Sequence, residues 1–258
     1  MKFLCLHGMG TSSEVLDAQL GPIRAYMSPT HEFIFLDGQI ECKAADGVAD
    51  IFPGPFSCYY SKPTTQQLQA AFELIAETIL LDGPFDGLIG FSQGAALGAS
   101  LLLHLAKTAP SAIPPFKLAI FLCASLPFDL CTPHNAPSYE TSICMVTGRV
   151  LVRDWAPGDT VDEEEVNGYL EPLVDGDVAA RRYHPAREKT RIQVPTLNVI
   201  GAVDPFAPQG RLLVELCADE GSGPLMHSLG HRLPRDGEFA RKAARMIEAM
   251  VYKVLYSS

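Results

Sequence analysis

Gly90-Phe91-Ser92-Gln93-Gly94 reads G-x-S-x-G, the pentapeptide that sets a serine on a sharp turn between a strand and a helix. The context suits such a turn. The apolar run Gly87-Leu88-Ile89 precedes it, and the small residues Ala95, Ala96, Gly98 and Ala99 let a helix start tight against a sheet. Residues two before and two after the serine crowd one another there, which is the steric reason for glycine at 90 and 94. Serine is a weak nucleophile unless a base takes its proton and a carboxylate orients that base. The chemistry implied is acyl transfer through a covalent serine intermediate, provided both partners exist elsewhere in the chain.

Asp204 and His231 are the candidates. In a fold of this kind the chain order is Ser, acid, His. Asp204 lies in Gly201-Ala202-Val203-Asp204-Pro205, just past the apolar run Thr196–Ile200, and His231 lies in Gly230-His231-Arg232-Leu233-Pro234. His227 competes with His231 but falls inside a strand candidate, whereas a base belongs on a loop beyond a strand end. Asp219 and Glu220 follow the helix expected over Arg211–Cys217, at the wrong end of that unit. The oxyanion of an acyl-transfer step needs backbone N–H donors; Gln93 supplies one by position, and Met9, after the His7-Gly8 turn, is expected to supply the other. His7 itself is expected to support that turn by hydrogen bonding rather than to react. His31, His104, His134 and His184 are scattered without ligand spacing, and neither a G-x-G-x-x-G nor a Walker loop occurs, so no metal and no cofactor are expected. A serine in the elbow also argues against dehalogenases and epoxide hydrolases, which need an aspartate there.

These residues need a frame to bring them together. Six strand candidates, Lys2–Leu6, Glu32–Leu36, Asp86–Gly90, Lys117–Cys123, Thr196–Ile200 and Leu225–Ser228, alternate with helical patterns, the signature of a parallel sheet covered on both faces. Right-handed crossovers favour the order 2-1-3-4-5-6, and ligands bind where that winding reverses, beyond strands one and three. Topology thus joins the Gly8–Gly10 loop to the Ser92 turn. Thr64-Thr65-Gln66-Gln67 has capping-box spacing ahead of Leu68, Phe72, Ile75 and Ile79; Phe239, Ala243, Ile247, Met250 and Val254 mark one face of a closing helix. A single domain over 1–258 is expected, with a lid insertion over about 127–191 and a weaker strand candidate at Ile143-Cys144-Met145-Val146. Phe128, Tyr139, Trp155, Tyr169 and Tyr183 could line an acyl pocket or anchor the lid. Asp162-Glu163-Glu164-Glu165 begins a solvated helix face, and Arg181, Arg182, Arg187, Lys189 and Arg191 form either a docking rim for an acidic partner or another solvated face.

Composition narrows the class. With 258 residues and 47% hydrophobic content, the chain can build one large core. A net charge of −10 argues against nucleic acid or an anionic bilayer as partner. Seven cysteines form an odd set without C-x-x-C spacing and read as buried thiols of a reducing compartment. The apolar run after Lys2 is too short for a signal core, and no stretch is long enough to span a membrane, so a cytoplasmic location is expected.

Five segments, Phe3-Leu4-Cys5-Leu6-His7-Gly8, Phe35-Leu36-Asp37-Gly38, the block from Pro84 to Ala95, the block from Val194 to Gly201, and Gly230-His231, resemble the fungal serine hydrolase (FSH) family. The resemblance covers most of the chain outside the lid. It implies an α/β-hydrolase fold and a triad on Ser92, Asp204 and His231. Some members of that family resemble thioesterases that free polyketide chains from carrier domains in fungal secondary metabolism. Three functions follow as alternatives: hydrolysis of a hydrophobic acyl ester or thioester, with an acyl carrier domain of a polyketide synthase as partner; a general carboxylesterase acting on small free esters; and a non-catalytic ligand-binding module, against which the complete set of three residues argues.

Overall fold

The structure is a computed structural model, and it describes residues 1–130, 139–143, 150–154, 180–218 and 223–256. Six strands, β1 (Lys2–Leu6), β2 (Glu32–Leu36), β3 (Gly87–Phe91), β4 (Leu118–Leu122), β5 (Thr196–Gly201) and β6 (Leu225–His227), pair in parallel in the order β2-β1-β3-β4-β5-β6. This is the expected order. Individual strand ends shift by a residue or two, and β3 runs through Phe91, so Ser92 leaves the sheet directly.

Side chains alternate across the sheet, and two cores result. Phe3 and Cys5 of β1, Ile89 of β3 and Ile120 of β4 pack under α1 (Ser13–Arg24) and α5 (Gly237–Tyr256), which contribute Leu16, Leu20, Phe239, Ala243 and Ile247. Leu4, Leu6, Leu88 and Phe121 face the opposite way, against α2 (Thr65–Asp82), α3 (Gln93–Thr108) and α4 (Ala207–Glu215). At the start of α2, Thr64 accepts the Gln67 N–H, as the capping-box spacing implies. The Gln67 side chain does not return the bond; its Oε1 accepts from the Ser61 and Lys62 N–H groups, tying down the loop before the helix. The helix expected over Arg211–Cys217 starts earlier, because Pro208 suits a first turn whose N–H groups lack partners in any case.

The long segment between β4 and β5 departs from what its charge and aromaticity suggest. Phe128–Asp129 pairs antiparallel with Arg181–Arg182, and Tyr139–Ile143 pairs with Val150–Asp154. The strand expected at 143–146 therefore overlaps the observed one only at Ile143, and 144–146 lie outside the described residues. So do Trp155, Tyr169 and the acidic run 162–165. Phe128 and Tyr183 are buried in the same core cluster as Phe121 and Leu126, so these two anchor the segment rather than line a pocket.

The basic run is neither a docking rim nor a solvated helix face at Arg181 and Arg182. Arg181 bonds the fully buried Asp129 carboxylate at 2.7 Å, with Lys107 on the same oxygen at 2.9 Å. Arg182 is buried over the Phe128 ring and donates to the Leu126 carbonyl. Arg191 donates to the backbone carbonyls of Pro185, Glu188 and Thr190. Desolvating these cations requires partners, and Asp129 and the carbonyls provide them.

Cys5, Cys42, Cys58, Cys123 and Cys217 are free thiols; Cys131 and Cys144 lie outside the described residues.

Candidate active site

β3 delivers Ser92 onto the amino end of α3 with φ +52 and ψ −113, a conformation that costs a non-glycine residue about 1–3 kcal/mol. Three contacts hold it there. The Ser92 N–H donates to the Leu122 carbonyl of β4 at 2.9 Å, its carbonyl accepts the Ala96 N–H, and the Gly94 N–H donates to the His7 carbonyl at 3.1 Å. A Cβ at Gly90 would meet Ala95 backbone at 2.5 Å, and one at Gly94 would meet the Leu6 carbonyl oxygen at 2.2 Å. Glycine at both positions is thus set by close approach of α3 to the ends of β3 and β1. The first turn of α3 also directs its N–H dipoles toward the serine.

Asp204 sits on the turn after β5, 5% exposed, with Oδ1 accepting the Phe206 N–H at 2.8 Å. Its Oδ2 lies 2.8 Å from His231 Nδ1, and His231 Nε2 lies 2.7 Å from Ser92 Oγ. The tautomer follows from the partners. An ionised carboxylate only accepts, so Nδ1 carries the proton and Nε2 is free to accept from the serine hydroxyl. Phe91 and Phe206 flank the imidazole, with ring centroids 5.3 and 4.9 Å away. His227 remains on β6, where its nitrogens meet the Leu229 N–H and Cys123 Sγ; His231 is the histidine that reaches Ser92.

The loop after β1 is built around His7, which is fully buried. Its Nε2 accepts the Gly38 N–H at 3.0 Å, which places the ring proton on Nδ1, 2.7 Å from the Gly8 carbonyl. Thr11 donates its hydroxyl to the same carbonyl at 2.7 Å. Burial pushes the His7 pKa down, consistent with a neutral ring that holds the turn. The Gly10 N–H is committed to the Ser57 carbonyl at 3.0 Å. Among the described residues the Met9 and Gln93 N–H groups have no acceptor.

Residues 1–243 match the model of the family described as Serine hydrolase (FSH1). The chain belongs to this family. It is 35% identical to Esterase alnB of Emericella nidulans, over 94% of this chain and 93% of that protein. It is 31% identical to Esterase FPY3 of Fusarium mangiferae, over 99% of both. The crystal structure of a carboxylesterase from Mesorhizobium loti superposes with a TM-score of 0.52 at 17% identity, covering 96% of this chain and 88% of that one, and so shares the α/β-hydrolase fold. This FSH1 serine hydrolase is a serine esterase, an enzyme of ester bonds. No helix among its described residues is long and apolar enough to cross a membrane.

Around the candidate residues Ser92, Asp204, His231, Met9 and Gln93 lie contacts that carry no sequence signal. Gln93 works through its side chain as well: Oε1 accepts the Tyr59 N–H and Nε2 donates to the Tyr60 carbonyl, both at 2.8 Å. The Tyr59 hydroxyl in turn accepts the His7 N–H and donates to the Leu36 carbonyl. Tyr59 thereby bridges the ends of β1 and β2 beneath the Met9 loop. It sits in no periodic segment, so only the folded chain reveals it.

Proposed function

We propose that the enzyme works through an acyl-enzyme on Ser92. The Oγ attacks the acyl carbonyl while its proton passes to His231 Nε2, and Asp204 stabilises the resulting imidazolium. The tetrahedral oxyanion rests on the Met9 and Gln93 N–H groups, which are free to donate. Collapse expels the alcohol or thiol, which takes the proton from His231. A water, deprotonated by the same nitrogen, attacks the acyl-serine and releases the acid. The observation that carries this reading is the unbroken chain Asp204 Oδ2 to His231 Nδ1 to Nε2 to Ser92 Oγ, with both heavy-atom distances under 3 Å.

The acyl group proposed is a hydrophobic chain of polyketide type, held as a thioester on a carrier domain; the family resemblance supports this. Hydrolysis of small free oxygen esters is the second reading. It draws support from relatives that are named esterases and from Arg181 and Arg182 being turned inward rather than toward a partner. Mass spectrometry of the products after incubation with carrier-bound acyl thioesters and matched free esters separates the two. Release from the carrier at a kcat/KM at least about tenfold above that for the free ester supports the first, and the reverse ratio supports the second. Absence of an acyl adduct on Ser92 with either substrate overturns both.

A further inference from the structure

Only two non-glycine residues among the described ones have positive φ: Ser92, and Cys123 at φ +48 immediately past β4. Strain of this sort persists where the surroundings enforce it, and it clusters at working sites. Cys123 is 2% exposed. Its Sγ, a carboxylate oxygen of Asp204 and a ring nitrogen of His231 all lie within 4.8 Å of one another. The sulfur is also 3.8 Å from His227 Nε2. Cys123 thus lies beside Asp204, the member of the Ser92 relay farthest from the nucleophile.

The Leu229 N–H donates to His227 Nδ1 at 3.2 Å, so the neutral ring carries its proton on Nε2 and points it at the sulfur. Burial, opposed by Asp204, keeps His227 readily neutral. A sulfur that accepts from His227 leaves its own S–H for the remaining acceptor, the Asp204 carboxylate. Burial and then the Asp204 charge push the thiol pKa far up, so the sulfur keeps its proton and stays a donor. The titratable groups against it are Asp204, from the turn after β5, and His227 and His231, from β6 and the loop beyond; the backbone of Gly201 and Arg232 also faces it.

We propose that Cys123, steadied by His227, is a positioning residue whose S–H donates to Asp204, fixing the carboxylate's tilt toward His231 and tempering its basicity. The thiol then joins two donors already on the carboxylate, the Phe206 N–H on Oδ1 and His231 Nδ1–H on Oδ2. The inference rests on the Ser92–His231–Asp204 reading above.

The test is steady-state kinetics against pH with p-nitrophenyl butyrate, beside thermal melts, for wild type, Cys123→Ala, Cys123→Ser and Asp204→Ala. Without the thiol donor Asp204 becomes more basic and holds the His231 imidazolium more tightly. With the carboxylate no longer fixed in its tilt toward His231, Cys123→Ala should lower kcat about five- to tenfold with KM changed less than about twofold. The acid limb of kcat/KM should move up by about a few tenths of a pH unit. Cys123→Ser, which retains a donor, should recover most of both. Wild-type kcat and acid limb in Cys123→Ala, or an equal loss in Cys123→Ser, overturns the inference. In either case a loss of about 10⁴-fold in Asp204→Ala leaves the triad reading standing, whereas wild-type rates in Asp204→Ala sink that reading instead. Should Cys123→Ala fail to fold, His227→Gln, which keeps an N–H for the sulfur, is compared with His227→Leu, which does not; identical rates and limbs in that pair overturn the inference.

Discussion

Gln93 holds the backbone of Tyr59 from beneath: its side-chain carbonyl takes the Tyr59 N–H at 2.8 Å while its own backbone N–H stays free beside Ser92. One residue therefore joins the turn that carries Ser92 to the loop at Tyr59 and Tyr60.

Replacing Gln93 by Leu should separate those two roles. The backbone N–H survives, but the buried Tyr59 N–H loses its acceptor, at a cost of about 1–3 kcal/mol, and the Tyr60 carbonyl loses the bond from the amide. Thermal melts should show the loss, and kcat should fall less than in any substitution at Ser92 or His231. An unchanged melting temperature would mean that water or a neighbour replaces the amide.

His231→Ala and His227→Ala should differ by orders of magnitude. The first removes the base, and the rate should fall by about 10⁴- to 10⁶-fold. The second removes a ring that does not reach Ser92, and the loss should stay within about tenfold. Stoichiometric labelling by a fluorophosphonate should vanish in Ser92→Ala and persist in His227→Ala. Comparable losses in the two histidine variants would contradict the assignment of His231.

Stability should fall as the medium turns mildly acidic. Burial lowers the pKa of His7, His104, His184 and His227 below the ordinary 6.5. Below that value the unfolded chain binds protons that the folded one refuses, so stability rises with pH across the window between the folded and unfolded pKa values. It is fully present above about 6.5 and drains away as pH falls through it. Urea midpoints should hold from pH 7.5 to about 6.5 and decline from there to 5.5; a flat profile would mean that these rings accept protons in place.

Arg181→Glu should destabilise the fold rather than alter partner choice. It sets a carboxylate against the fully buried Asp129 and the nearby Glu188, where breaking a buried pair costs about 3–5 kcal/mol. Melting temperature should drop, and hydrolysis of free esters and of carrier thioesters should decline together. Loss confined to the carrier substrate, with an intact melt, would restore Arg181 to a docking role.

Much of this was legible because it is local or topological. The Ser92 turn announces itself within five residues, and the reversal between β1 and β3 follows from crossover handedness. Asp204 and His231 are legible as candidates because each follows a recognisable strand by a few residues, and the fold brings them within hydrogen-bond distance of one another. What stayed hidden depends on contacts between remote segments without periodic pattern. Gln93 meets Tyr59 across 34 positions, and Cys123 meets His227 across 104. Arg181 and Arg182 were misread for the same reason: a count of charges along the chain does not show Asp129, 52 positions upstream, already paired with Arg181.

β6 has three residues and lies at the outer margin of the sheet, bonded among the described residues to β5 alone, yet the loop it launches carries His231. Short margins of a sheet open at a fraction of the global free energy. Heat should therefore silence this enzyme by fraying β6 while the interior strands remain protected, so that inactivation precedes melting and reverses on cooling. Pairing or covering that rim should then raise the temperature at which activity is lost without any change at Ser92, and activity half-lives read beside melting curves check it.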